Sequence, residues 1–396
     1  MRVALLSRAA HPLHPPGGME TAVYHLATRL QARGVETVLV TRPATRPERF
    51  PGEVVTVPYG GGERHGRILE RTLRYPRFSA RVGEAVAALV KGGRVDLVDA
   101  QGLCALGYGR RRRSDPALRA PLVMNPQGLE EHKTTGLKRL ALFRLRALSR
   151  EAARLSDRVI ATDEATRGDV PRLLGVDPSR VTVIPNGIEP RELARLTPAD
   201  PAAVVYAAVP PLADASLTLL SVGRLEGYKG FGDVLEALAR LHRRSALPAR
   251  WAWVVAGEGP ARRRLEQRAR ARVPGHAHFL GGVGSAMLHA LYARSDLLVH
   301  APRYEGSSLV TLEAMAHGLP VVATCAGGIP DKVRDGETGR LVAPGDVEGL
   351  AAAVGDLAAD PSRRRDMGGR GRARAETDFA WENIIERVLA LYRSLL

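Results

Sequence analysis

The stretch LTLLSVGRLEGYKGFGDVLEALARLHRRSALPARWAWVVAG, residues 217–257, sets out one repeat of the fold in full. LTLLSV is a short, continuously apolar run, the pattern of a strand buried on both faces. A glycine-bearing turn follows, then residues 231–245 with apolar side chains at helical spacing, then a second apolar run, WAWVVAG, at 251–257. Strand, helix and strand at this spacing predict a parallel pair joined by a helical crossover.

The same alternation runs outward in both directions. Downstream come a helix at 260–272, HFLGG at 278–282, LLVHA at 297–301 and PVVAT at 320–324. Beyond Asp346 the chain reads as mostly helical and ends in FAWENIIERVLALYRSLL, apolar at helical spacing. Upstream stand VALLS at 3–7, a helix from about Met19 to Arg33, VETVLV at 35–40, VDLVDA at 95–100 and PLVMN at 121–125. A long helical stretch from about Gly136 to Ser156 and the strands RVIAT at 158–162 and RVTVIP at 180–185 complete that half. Between the halves, Glu189 to Ala215 is rich in Pro, Ala and Asp without a sustained period, and reads as a linker with one helical turn. The expected class is α/β, with two doubly wound Rossmann-like domains facing each other across a cleft. The expected division is an N-terminal domain at 1–188, a linker at 189–215, a C-terminal domain at 216–375, and a terminal helix at 376–396 crossing back onto the first domain.

Composition bounds the function. The 396 residues are 45% hydrophobic and 25% charged, which is the balance of a globular chain and not of a disordered one. Net charge is +16, so the surface should favour polyanions: nucleic acid, anionic lipid or phosphorylated substrates. Much of the excess is helical arginine, including Arg110 to Arg113 and Arg262 to Arg264, and reads first as surface composition. The two cysteines, Cys104 and Cys325, fall in different expected domains and suit reduced thiols better than a disulfide. No apolar run approaches the roughly 18 to 20 residues of a membrane span. MRVALLS runs straight into a strand without a signal-peptide pattern, so a cytoplasmic protein is expected.

Four places carry candidate chemistry, all where strands of a doubly wound sheet deliver glycine-rich turns or helix N-termini. In PRYEGSSLVTLEAMAHGLPVV, 302–322, a strand ends, a loop carries Glu305, Gly306, Ser307 and Ser308, and a helix begins whose amides face an anion. Glu313 lies one to two turns into that helix, and helical side chains lean towards the N-terminus, so both carboxylates could reach one ligand. Two acids around a phosphate-binding helix suit a sugar nucleotide, whose hydroxyls donate to carboxylates. In SVGRLEGYKG, 221–230, Arg224 and Lys229 sit where they would bracket a diphosphate and neutralise it as it departs. Gly17 and Gly18, opening the first helix, permit close approach of backbone to a diphosphate, although a tight turn needs glycine in any case. VAGEGP at 255–260 and CAGGIP at 325–330 are strand-to-helix turns that inform the fold more than the function.

VGRLEGYKG, VAGEGP, EGSSLVTLEAMAHGLPVVAT and GGIPDKVRDGETGRLV, in that order and spacing, resemble the family-four retaining glycosyltransferases of GT-B fold across essentially the whole chain. The Glu305-to-Glu313 spacing is similar to the family's E-x7-E signature, and VIPNGI at 183–188 to the segment closing the first domain. The resemblance implies that Arg224 and Lys229 contact the donor diphosphate, Glu313 the ribose hydroxyls and Glu305 the donor hexose. It implies that Ser307, Ser308 and Leu309 present amides to the phosphates and that Gly18 closes over them from the first domain. Where family members commonly place a histidine near the sugar, MNPQGLEEH at 124–132 has Gln127, with His132, Glu130 and Glu131 as nearby alternatives. The family's retaining transfer lets the departing phosphate take the acceptor's proton, so a missing histidine need not abolish activity.

The chain holds no Asp-x-Asp pair for a catalytic divalent cation, so neither metal nor cofactor is expected, and the nucleotide diphosphate-sugar is a substrate. Base and sugar identity are expected to depend on His278 to Gly282, Gly281 included. Acceptor contacts fall to first-domain loops, and the basic amphipathic stretch 136–158 could rest on an anionic membrane. Two other readings stand beside the transferase. One is a polyanion-binding protein without catalysis, which has no need of Glu305 and Glu313; nucleic acid is not the favoured partner. The other is a UDP-sugar epimerase-like enzyme, which would turn over donor without acceptor.

Overall fold

The computed structural model describes residues 1–15, 17–60, 68–127, 129, 132, 140 and 142–396, with backbone alone at 68–71. The chain forms two compact units, Met1–Gly187 together with Trp381–Leu396, and Ile188–Ala380.

The first unit holds seven parallel strands, β1 (Arg2–Leu6), β2 (Glu36–Thr41), β3 (Glu53–Thr56), β4 (Leu97–Gln101), β5 (Leu122–Asn125), β6 (Arg158–Ala161) and β7 (Val181–Val183), in the order β3-β2-β1-β4-β5-β6-β7. Helices α1 (Gly18–Ala32), α2 (Ile68–Lys91), α3 (Ala105–Ser114), α4 (Phe143–Leu155) and α5 (Glu164–Leu174) connect them. Along β1, Ala4 and Leu6 pack into one apolar layer while Val3 and Leu5 pack into the opposite one, which is why the strand is apolar without a break from Val3 to Leu6.

The second unit starts with two short helices, α6 (Pro190–Leu196) and α7 (Pro201–Ala208), where the sequence reads as a linker. Of the prolines that suggested a linker, Pro190 and Pro201 stand in the first turns of these helices, where their missing N–H groups cost nothing, and Asp200 caps the second by accepting from the amide of Ala203. Six parallel strands follow, β8 (Leu217–Val222), β9 (Trp251–Ala256), β10 (Ala277–Gly281), β11 (Leu297–His300), β12 (Val321–Thr324) and β13 (Gly339–Val342), in the order β10-β9-β8-β11-β12-β13. Around them lie α8 (Phe231–Arg243), α9 (Arg262–Arg272), α10 (Ser285–Arg294), α11 (Leu309–Ala316), α12 (Ile329–Lys332), α13 (Val347–Ala359) and α14 (Pro361–Asp378). Strand order reverses between β8 and β11, a switch point that opens a crevice at the carboxyl ends of those strands.

The last helix, α15 (Trp381–Arg393), belongs to the first unit. It places Trp381, Ile384, Ile385, Val388, Leu389 and Tyr392 in the layer that also holds Val3, Leu5, Leu97 and Ile160. Several of the clustered arginines lie in ion pairs, which leave the net charge of +16 in place: Arg110 grips Glu151 at 2.7 and 2.6 Å, Arg112 binds Asp157, and Arg262 binds both Glu258 and Glu266. Cys104 and Cys325 are free thiols, the first buried and the second exposed. Among the described residues no helix is long and apolar enough to cross a membrane.

Candidate active site

Three loops meet at the switch point of the second sheet. The turn after β8 carries Arg224 and Lys229, the loop after β11 carries Glu305, and the turn after β12 carries Gly327 and Gly328. Two glycines make the meeting possible. Gly230 has φ +74°, and a Cβ there would fall on the carbonyl oxygen of Ala301. Gly327 has φ +53°, and a Cβ there would fall on the carbonyl oxygen of Glu305. Both the left-handed backbone and the missing side chain are needed. Hydrogen bonds close the arrangement: Arg303 N to Tyr228 O at 2.8 Å, Gly328 N to Gly306 O at 3.2 Å and Thr324 Oγ1 to Pro302 O at 2.6 Å. CAGGIP therefore shapes the Glu305 loop directly, a role that its sequence alone does not announce.

Glu305 is nearly enclosed and accepts four hydrogen bonds from three donor atoms. Lys229 Nζ lies 3.0 Å from Oε1 and 2.9 Å from Oε2, His300 Nε2 lies 3.0 Å from Oε2, and the amide of Gly306 donates to Oε1 at 3.2 Å. Burial alone would push this carboxyl up; His300 and Lys229 outweigh it and hold it down at about 2. The group is thus a carboxylate at every physiological pH. Arg224 is exposed, reaching Tyr228 Oη at 3.1 Å, and the ring of Tyr228 also lies 5.5 Å from Lys229 Nζ.

The loop runs into α11 with Ser308 as N-cap, and the Ser308 side chain makes no capping bond to its own helix. The hydroxyls of Ser307 and Ser308 are buried without a partner among the described residues. With Leu309 as its first residue, α11 begins with amides that no side chain caps, next to these two hydroxyls, the makings of an anion site. One turn in, Glu313 accepts from Tyr292 Oη at 2.8 Å. Burial raises its carboxyl to about 7, with the Tyr292 bond acting against that rise. Tyr292 stacks on His317, and His317 Nε2 meets His289 Nδ1 at 3.0 Å. His300 and Tyr292 were not singled out from sequence. For His300 the available signal was a polar residue closing the apolar run LLVHA; Tyr292 gives no local signal.

Gly281 closes β10 with φ +75°, next to the side chains of Glu258 and Arg262. It stands two strands from β8, on the flank of the Arg224 turn. In the first unit, Gly17 is the extended N-cap of α1 and Gly18 its first residue, with no side-chain cap. Gln127 adopts φ 61° and sits in a chain of polar contacts. Its amide nitrogen Nε2 donates to Gln101 Oε1 at 2.7 Å, Gln101 donates to Asp99 at 2.9 Å, and Tyr392 Oη donates to Asp99 at 2.6 Å. Burial raises Asp99 to about 6 against the pull of Tyr392 and Gln101. His132 is buried, neither ring nitrogen has a partner among the described residues, and burial followed by Arg146 and Arg150 lowers it to about 4. It is a neutral imidazole at pH 7 and not a poised base. Glu130 and Glu131 lie outside the described residues.

Residues 16–192 match the family model Glycosyltransferase Family 4, and residues 207–374 match Glycosyl transferases group 1. Glycogen synthase of Mycobacterium tuberculosis is 31% identical over 96% of this chain and 92% of its own. D-inositol 3-phosphate glycosyltransferase of Actinosynnema mirum is 32% identical over 99% and 96%. Among solved structures, Alr3699/HepE of Anabaena in complex with UDP and glucose superposes with a TM-score of 0.76 over all of both chains at 21% identity. Sucrose-phosphate synthase of Thermosynechococcus elongatus gives 0.77 over 100% and 98% at 24% identity. Two parallel Rossmann-like sheets of this kind, with these matches, define a GT-B glycosyltransferase. The chain belongs to the family-four glycosyltransferases.

Proposed function

We propose that this protein transfers a hexose, with retention of anomeric configuration and without a metal, from a nucleoside diphosphate sugar to an acceptor hydroxyl. The observation that carries this reading is Glu305: a nearly enclosed, ionised carboxylate, bound to Lys229 and set four residues before the first residue of a helix whose leading hydroxyls, Ser307 and Ser308, have no partner among the described residues. On this reading the amides of Ser307, Ser308 and Leu309 take the phosphates, Arg224 and Lys229 neutralise the leaving diphosphate, and Gly306 lets the backbone approach closely. Glu313 takes the ribose hydroxyls, Glu305 the hexose hydroxyls, and the flank at Gly281 faces the base. The bond from anomeric carbon to phosphate oxygen breaks, the bond to the acceptor oxygen forms on the same face, and the departing phosphate oxygen takes the acceptor's proton. Metal independence is supported by the two cations at the diphosphate position and by a sequence without an Asp-x-Asp pair. A UDP-hexose is the first donor to try, since Alr3699/HepE was solved with UDP and glucose.

The test uses UDP-, GDP-, ADP- and dTDP-sugars with EDTA present, following release of nucleoside diphosphate by wild type and Glu305→Gln. Release from one donor that survives EDTA and falls at least about a hundredfold in the variant is expected. Release that requires a divalent cation, or that Glu305→Gln leaves intact, overturns the reading. Retention is read from the anomeric signal of the first product by NMR.

A lipid-linked acceptor at an anionic membrane is favoured by one observation. Leu140 and Phe143 stand 77% and 70% exposed where α4 begins, beside the exposed Arg144, with a second exposed arginine, Arg154, near the far end of the helix. Aromatic and aliphatic side chains beside arginines suit a charged lipid interface.

A further inference from the structure

In the structure Lys229 is bonded to Glu305, yet the proposed chemistry also asks it to face a diphosphate. Its ammonium carries one charge, and a diphosphate is the stronger attractor. Once Lys229 turns to the phosphates, Oε1 of Glu305 still holds the amide of Gly306, 3.2 Å away. Oε2 then keeps a single donor among the described residues, His300 Nε2 at 3.0 Å. His300 is the last residue of β11 and is 3% exposed, so its ring is held by the strand and by packing and cannot swing away. A buried carboxylate oxygen without a donor is strongly disfavoured, and Glu305 would follow Lys229 or rotate out of line with the sugar.

We propose that His300 is a positioning residue that holds the Oε2 edge of Glu305 while Lys229 engages the diphosphate, keeping the carboxylate aimed at the donor hexose. The bond requires the proton on Nε2, with the carboxylate accepting. This rests on the glycosyl-transfer reading, which it deepens by separating the work of the two donors on one carboxylate. Lys229 serves the leaving group and His300 serves the sugar contact.

Steady-state release of nucleoside diphosphate is measured for wild type, His300→Leu and His300→Gln, with affinity for UDP, or for the diphosphate that wild type releases, read by calorimetry. His300→Leu is expected to lower kcat by about tenfold or more while diphosphate affinity stays within about twofold. His300→Gln, whose amide N–H reaches the position of Nε2, is expected to recover most of the rate. The proposal is overturned if His300→Leu keeps the wild-type kcat, or if both variants lose rate equally, since a side chain that only fills the end of β11 gives no advantage to a donor. A wild type that cleaves no donor overturns the transfer reading itself, and this proposal with it; an active wild type with an indifferent His300 overturns this proposal alone.

Discussion

Glu305 and Glu313 stand on one loop and helix, yet their surroundings drive their protonation in opposite directions. Glu305, held at about 2 by His300 and Lys229 against its burial, adds stability that is present above the ordinary carboxyl value and is lost as pH falls towards 2. Glu313, raised to about 7 by burial, does the reverse. The folded state favours its protonated form, so its contribution is full below the ordinary value near 4.5 and is lost as pH rises through about 7. Glu313→Gln, which keeps an acceptor for Tyr292 and cannot ionise, should therefore gain stability relative to wild type between pH 5 and pH 8. A gain of about 2 kcal/mol is expected, read as a growing difference in Tm by calorimetry; a difference that stays flat across that range refutes the assignment. The two glutamates, Arg224 and Lys229 were legible in the sequence because each lies within a few residues of a strand end or a helix start, where spacing implies position. Their partners were not. Tyr292 reaches Glu313 from the preceding helix, 21 residues back, and that contact exists only once α10 and α11 pack.

At the scale of elements, the buried strands were readable because residues alternate between two apolar layers, so that most positions on both faces are apolar. β3 and β13 escaped notice for the converse reason: they are four-residue edge strands with mostly half-exposed side chains. The helices α6 and α7 escaped because their prolines and Asp200 are the same residues that punctuate loops. Helix α4 carries the membrane reading, and its exposed Phe143 with neighbouring Leu140 makes that reading testable. The protein should co-sediment with phosphatidylglycerol-containing vesicles and poorly with purely zwitterionic ones. Leu140→Ser with Phe143→Ser should reduce the partition at least about tenfold, as expected for withdrawing two large apolar groups from an interface. Failure of the wild type to bind anionic vesicles removes the membrane from the account.

Over the whole molecule, many arginines lie against neighbouring acids, as at Glu151, Asp157, Glu258 and Glu266, and the net charge of +16 is carried by the cations in excess of those acids. The chain passes between its two units twice, at Gly187 to Ile188 and at Ala380 to Trp381. On the second unit's side the two passages are joined, the amide of Ile188 donating to the carbonyl of Phe379 at 2.7 Å. The second unit is thus one continuous segment, and a fragment 188–380 should unfold cooperatively on heating. A fragment 1–187 lacks the apolar face of α15 and should bind a dye for exposed apolar surface far more strongly than the full chain. A cooperative, dye-silent 1–187 fragment shows that the terminal helix is dispensable.

That interleaving also sets an order of events on the ribosome. Everything the first sheet needs except its final helix emerges early, and must then wait while the whole of the second unit is made. Trp381, Ile384, Ile385 and Tyr392 arrive last, so the half translated first is the half completed last. During that interval the apolar face over β1 and β4 is open to chaperones, and a ribosome that stalls between the codons of Ala380 and Trp381 would release a chain with one finished unit and one unfinished.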